Sequence, residues 1–363
     1  MSAATTGAFP YRHNSLNLFR LLLAALVLVA HAYYIAGVGS GPSFNGENLG
    51  GWAVAGFFVI SGFLITRSRF RTRAGDYLLH RVARIFPAYI VCLLVIAVLF
   101  APLALMIKQG NLGGLLSTAP NPLEYVWSNI TLYIRVYGIG TTLSGAPYPD
   151  VWNGSLWTLY FEFLCYIITW LLGALAIYRR SIVAVSAVWV GSVVVRAITV
   201  LWTTGGLDND FFQFARLFSF FAAGALAFMI IDRWGLNRWI GLASIPLAAV
   251  CIVFVPDIGG QLGAPLLAYA LLYLSTVIPQ PGWIARNDVS YGFYIYAWPV
   301  QQLTFLAGGM KLGFWPYVAV TVVITFAFAW ASWVLVERPA MARVRPRAVR
   351  AGDIQAPTAP PPA

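Results

Sequence analysis

Asn17-Leu-Phe-Arg20-Leu-Leu-Leu-Ala-Ala-Leu-Val-Leu-Val-Ala-His31-Ala-Tyr-Tyr-Ile-Ala36 is a nearly unbroken apolar stretch carrying one arginine and one histidine. Its length matches the ~20 residues that a helix needs to cross a bilayer core. The pattern repeats along the chain, and apolar stretches fall at 17–36, 50–66, 85–106, 156–177, 182–203, 212–231, 239–256, 263–279, 289–307 and 315–336. Composition agrees. Of 363 residues, 60% are hydrophobic and only 10% charged, with mean hydropathy +0.76. A soluble domain carries about 25% charge. An ordinary soluble enzyme, a disordered chain and a coiled coil are excluded, and a β-barrel is disfavoured because its strands alternate over short segments. The expected fold is all-α, integral to the membrane, with about ten spans.

The net charge of +11 raises nucleic acid as a partner, but its placement follows a membrane rule instead. With the termini placed in the cytoplasm, seventeen of the 23 basic residues fall on that side, including Arg67, Arg69, Arg71, Arg73, Arg81 and Arg84 between the second and third spans. Lys108, Arg135 and Lys311 fall outside. This bias predicts an even span count and cytoplasmic termini, and the localisation expected is the inner (plasma) membrane, with lipid and not nucleic acid as the surrounding partner. The first apolar run is too long for a cleavable leader. The domain expected is 1–342, followed by a disordered basic, Pro-rich cytoplasmic tail at 343–363. The segment 107–155, rich in Pro, Gly, Tyr and Trp, is the one long connection, and part of it is a candidate to re-enter the membrane. Cys92, Cys165 and Cys251 are scattered through apolar runs, which suits buried hydrophobes and neither a disulfide framework nor a metal site.

Ionisable groups in hydrocarbon are costly, and so are candidates for function. Arg20 and His31 are eleven residues apart, which puts them on one helix face about 16 Å apart along the axis. Arg20 is then near the cytoplasmic mouth and His31 in the outer third; the bland alternatives are a snorkelling arginine and a satisfied core histidine. Glu162 lies six residues into the fourth span, about 9 Å deep. That depth makes it a partner for His31, orienting the imidazole and stabilising its cation, or else for Arg196 in the fifth span. Arg216, a turn inside the sixth span, reads as snorkelling. Arg81 and Arg84, spaced i, i+3, stack two guanidinium groups where the third span begins, a pairing that suits phosphate.

These segments together resemble the acyltransferase 3 family of integral membrane acyltransferases. Arg20-x10-His31 is similar to its first-span motif and Gly56-Phe-Phe-Val-Ile-Ser-Gly-Phe-Leu-Ile65 to its second-span signature. Arg81-x-x-Arg84-Ile-x-Pro87 resembles its basic motif, and Gly154-Ser-Leu-Trp-Thr-Leu-Tyr-Phe-Glu162 its Leu-Trp-Thr-Leu…Glu element. Ser290-Tyr-Gly-Phe-Tyr294-Ile-Tyr-Ala-Trp-Pro299 and Glu337-Arg-Pro339 resemble its last two elements. Six motifs in order, spread from Asn17 to Pro339, make the resemblance specific. One position departs: many members carry histidine where this chain has Ala297, so any role of that histidine does not transfer, and Gln301 and Gln302 bring polarity just beyond it.

The resemblance implies transfer of an acyl group, usually acetyl, from cytoplasmic acyl-CoA as co-substrate to a hydroxyl of a glycan or lipid-linked acceptor at the outer face. No bound cofactor or metal is expected. His31 is then the catalytic residue, with Arg20 in the same motif and Glu162 as orienting partner. Arg81 and Arg84 serve the acyl donor. Ser61, Trp157, Arg196 and Tyr294 are candidate substrate or oxyanion contacts. His31 as general base and His31 as acyl carrier both remain open, as does the oligomeric state. The competing readings are a transporter or proton-coupled permease, which intramembrane Arg, His and Glu also suit, and a structural scaffold.

Overall fold

The computed structural model describes residues 6–201 and 209–344. Helices occupy all ten apolar segments. They are α1 (Leu16–Ile35), α2 (Leu49–Arg71), α3 (Ala74–Val95) with α4 (Ala101–Gln109), α6 (Trp157–Leu172), α8 (Ile182–Leu201), α9 (Asn209–Trp234), α10 (Arg238–Phe254), α11 (Gly259–Val277), α13 (Ser290–Leu306), and α14 (Phe314–Ser332) with α15 (Arg338–Val344). The short helices α5 (Pro122–Asn129), α7 (Ala176–Arg180) and α12 (Gly282–Arg286) lie in connections. Among the described residues, 7 helices are long and apolar enough to cross a membrane on their own. Helices α6, α10 and α13, of 16, 17 and 17 residues, are shorter. Of the expected tail, residues 345–363 lie outside the described residues, and 343–344 close α15.

Two long rods each contain a π-helical turn: Ile96–Phe100 joins α3 to α4, and Trp333–Glu337 joins α14 to α15. An extra residue in a helical turn re-aims the side chains around it. Glu337, at the end of the second π turn, is only 1% exposed.

Helix α2 is the hub, packing on α1, α6, α9 and α11. Lipid supplies no hydrophobic drive between helices, so membrane helices associate by close approach of small residues. A Cβ on Gly62 would collide with the carbonyl oxygen of Phe221, and one on Gly224 with that of Val59. Gly56 gives room to Leu23 of α1 in the same way. Gly62 of α2 and Gly224 of α9 thus serve backbone-to-backbone contact between the two helices.

The long connection folds inward. Trp152 is fully buried, and its indole donates to Thr142 at 2.8 Å. Asn153 donates to the Ile295 carbonyl at 2.7 Å, while Trp298 and Gln302 donate to the Val151 carbonyl, each at 3.0 Å. Irregular backbone inside a membrane protein is tolerated where neighbouring groups satisfy it, and α13 supplies those groups. Gln301 donates to the Leu28 carbonyl of α1 at 2.8 Å. The two glutamines after Ala297 therefore bind backbone.

We expect Gly224→Val to destabilise the protein by about 1–3 kcal/mol or more, as overpacking does, because backbone and not a flexible side chain stands in the way. Gly191→Val, on open space, is the control. Thermal unfolding in detergent compares the two, and equal melting temperatures would discard the α2–α9 packing argument.

Candidate functional site

Two cavities open from opposite ends of the bundle, and no residue lines both. Each is bordered by α1, α2, α6 and α13. Arg20, Ser61, Glu162 and Tyr291 from these helices border the one at the basic end, of about 280 Å³, with Arg81 and Arg84 from α3 and Asp288 from the loop before α13. His31, Val54, Trp157, Thr158, Tyr294 and Trp298 border the far one, of about 440 Å³, with Arg216 from α9. Arg20 and His31 occupy one face of α1, as their spacing requires, and so mark the two cavities.

At the basic end the charges form a compact network. Asp288 accepts from Arg20 at 2.5 Å and from Arg84 at 2.6 Å, and Arg84 also donates to Glu337 at 3.2 Å. Ser290 donates to Asp288 at 2.6 Å and Ser332 to Glu337 at 2.9 Å. Burial raises the pKa of Asp288, but Arg20 and Arg84, helped by hydrogen bonds from Ser290, outweigh it and hold it at about 2. Arg84 is thus held between two carboxylates. Arg81 makes no ion pair among the described residues; its guanidinium lies 5.9 and 5.8 Å from the rings of Tyr77 and Tyr166, and its Nε has no hydrogen-bond partner. The two stacked arginines therefore differ: Arg84 is neutralised internally and Arg81 is the available cation.

Glu162 requires a correction. Depth arithmetic places it level with His31, but its carboxylate accepts from Ser61 at 2.8 Å and Tyr166 at 2.6 Å, on the wall of the basic-end cavity. It pairs with neither His31 nor Arg196. The arithmetic took 156 as the membrane mouth, whereas Trp152, Asn153, Ser155 and Leu156, just before α6, are already buried inside the protein. Ser61 likewise faces Glu162 and not His31.

At the far end, His31 meets the Trp298 ring edge-on, with centroids 4.7 Å apart, and its Nδ1 has no hydrogen-bond partner among the described residues. Thr158 and Tyr294 share a hydrogen bond of 2.6 Å, and Tyr294 also donates to the Ser155 carbonyl at 3.0 Å. Phe57 meets the Tyr294 ring edge-on at 5.9 Å. Phe57, Thr158 and Tyr294 therefore lie between the two cavities. Trp157 and Tyr294 accompany His31, while Arg196 lines an adjoining recess. Arg216 does not simply snorkel: it is ion-paired with Glu47 on the wall of the His31 cavity. No group of side chains among the described residues has the makeup of a metal site.

Sequence reasoning missed Asp288, Glu47 and the partner of Glu337. An acid just before a helix is a capping signal, and Asp288 precedes α13 by two residues. Glu47 follows Asn45-Gly46, whose positive φ values of 47° and 75° make the tight hairpin of β1 (Ser43–Phe44) and β2 (Glu47–Asn48). An Asn-Gly hairpin is a readable signal, and it carries Glu47 back over Arg216.

Arg84→Met should cost about 3–5 kcal/mol, because it strands the buried Glu337 carboxylate and leaves Asp288 with Arg20 alone. Arg81→Met should change stability by no more than about 1 kcal/mol. Chemical unfolding in detergent measures both, and equal losses would overturn the division between them.

Comparison with known proteins bears on this arrangement. A family model for the acyltransferase domain, acyltransferase 3, matches residues 13–334. The chain is similar to a protein named O-acetyl transferase of Shigella phage Sf6, 29% identical over 93% of this chain and 98% of the relative. It is similar also to nodulation protein 10 of Rhizobium leguminosarum bv. viciae, 30% identical over 90% of this chain and 93% of the relative. No solved structure matches. The match spans helices α1 to α14 and both cavities, and the chain belongs to the acyltransferase 3 family of membrane acyltransferases.

Proposed function

We propose that the protein carries an acyl group, expected to be acetyl, from cytoplasmic acyl-CoA to a hydroxyl of a glycan or lipid-linked acceptor on the opposite side of the inner membrane. The observation that carries this reading is the pair of cavities joined by one face of α1, with Arg20 at one and His31 at the other. In this reading the ten helical segments all cross, the basic end faces the cytoplasm by the charge rule, residues 1–342 form the acyltransferase unit, and 343–363 form its cytoplasmic tail. The name of the phage relative supports acetyl as the group.

CoA bears its phosphates at one end and its thioester at the other, on a slim arm. Arg81, the available cation, receives the phosphates. Arg20 and Arg84, held by Asp288, shape the entrance. Glu162, with Ser61 and Tyr166, borders the path where the arm passes from the basic end toward the far cavity. Tyr294, Thr158 and Phe57 must yield for the thioester to reach His31. Trp157 and Trp298 offer flat faces to the acceptor.

Two routes are balanced at His31. As general base, the imidazole takes the proton of the acceptor hydroxyl while that oxygen attacks the thioester carbonyl. The C–S bond breaks, and the departing thiolate recovers the proton. As nucleophile, the imidazole attacks the carbonyl and expels the thiolate, forming an acyl-imidazole that the acceptor oxygen then attacks. Both give an ester and free CoA.

His31→Ala is expected to lower transfer about 100-fold or more while the protein still inserts. Free CoA release and mass spectrometry of envelope glycans, at matched protein levels, measure it; substantial residual transfer would refute a catalytic His31, and transport without CoA release would favour a permease.

Glu162→Gln is expected to raise KM for acyl-CoA and to leave the pH–rate profile unshifted, since the carboxylate lies on the donor side. A shifted profile with unchanged KM would return Glu162 to His31.

A further inference from the structure

Beside the His31 cavity lies a recess of about 200 Å³, and Glu47, Phe212 and Arg216 stand in the walls of both. Arg196 of α8 lines it. This residue is 7% exposed, and its guanidinium lies 4.2 Å from the centre of the Phe212 ring. Its Nε and Nη1 have no hydrogen-bond partner, and it forms no ion pair among the described residues. The Nε of Arg216 is also without a partner, since only its Nη1 is taken by Glu47. Glu47 and Asp257 are the acids on this wall; Glu47 is committed to Arg216, and Asp257 is in no ion pair with either arginine. Helix α11 begins at Gly259, so Gly260 and Gln261 present its first turn, the positive end of its dipole, to the same space. A buried guanidinium with open donors inside a membrane helix is costly, and such groups mark substrate sites.

We propose that this recess binds an anionic group carried by the acceptor, a sugar carboxylate or the diphosphate of a prenyl carrier, with Arg196 as the residue that receives it. The anion closes the open donors of Arg196 and Arg216 with charge-assisted hydrogen bonds. Because Arg216 also borders the His31 cavity, an acceptor anchored here extends toward the imidazole and presents a neighbouring hydroxyl. This inference rests on the acyl-transfer reading for its meaning but is tested by binding alone.

The experiment uses the full-length protein in detergent and compares glucuronate with glucose, and farnesyl diphosphate with farnesol. At least one anionic probe should bind about tenfold or more tightly than its neutral counterpart, with the advantage shrinking as salt rises. The pair that shows it identifies the source of the charge. Arg196→Gln should abolish the advantage, Arg196→Lys should keep part of it, and both should bind acetyl-CoA as the wild type does. Wild-type protein with no preference for either anion, or Arg196→Gln with its preference intact, would overturn the proposal; the wild-type result decides it even where the variant does not fold. His31→Ala should retain the anion preference. Transfer by His31→Ala would remove the catalytic role of His31, and transport without CoA release would remove the acyl-transfer reading; either would leave the anion result standing.

Discussion

Asp288 is shared by two arginines that come from different helices, and the architecture of the basic end depends on that sharing. Arg20 belongs to α1 and Arg84 to α3, while Asp288 leads into α13 and Glu337 closes the π turn after α14. Four elements meet at one electrostatic knot. Each of these charges alone would be expensive where water is scarce, and together they satisfy one another. A network of this kind tolerates little displacement, because every member leaves a partner exposed when it moves. The knot therefore holds α1 and α13 in place, and these two helices reach up to His31 and Trp298 at the far end.

The same constraint explains the rest of the interior. Hydrocarbon offers no partners to backbone or side-chain polar groups, so every irregularity must be answered within the protein. The inward loop at 151–156 is answered by Trp298 and Gln302, together with Asn153 reaching back to Ile295. Glu162 is answered by Ser61 and Tyr166. Buried groups left without a partner include His31 Nδ1, Arg81 Nε and two donors of Arg196, which border the cavities and recess where substrates are proposed to bind.

The proposed reaction has to join a donor and an acceptor that approach from opposite sides of a membrane. A continuous channel would leak, and the two cavities instead stop at the layer of Phe57, Thr158 and Tyr294. In this layer Thr158 and Tyr294 are hydrogen-bonded to each other and to the Ser155 carbonyl. In the proposed reaction it is the part that yields to the thioester, while the charged knot below and the packed α2–α9 contact beside it stay fixed.

All ten apolar segments and the shared face of Arg20 and His31 were determined by the sequence alone, because hydrocarbon length and helical periodicity are local properties readable one stretch at a time. The six family motifs were legible there too, and the family they indicate is the one to which the chain belongs. What required the tertiary structure was every relation between helices. Glu162 had been set level with His31 because the start of α6 was taken as the membrane surface, and only the inward fold of 151–156 under α13 shows that α6 begins inside the protein. Arg81 and Arg84 look equivalent in sequence; they part because Asp288 and Glu337, 204 and 253 residues from Arg84, come to Arg84 and not to Arg81. Arg216 looked like a snorkelling arginine until the Asn45-Gly46 hairpin brought Glu47 onto it. Depth and charge pairing depend on where each helix starts and which neighbour it meets, and those are properties of the packed bundle that no single stretch contains.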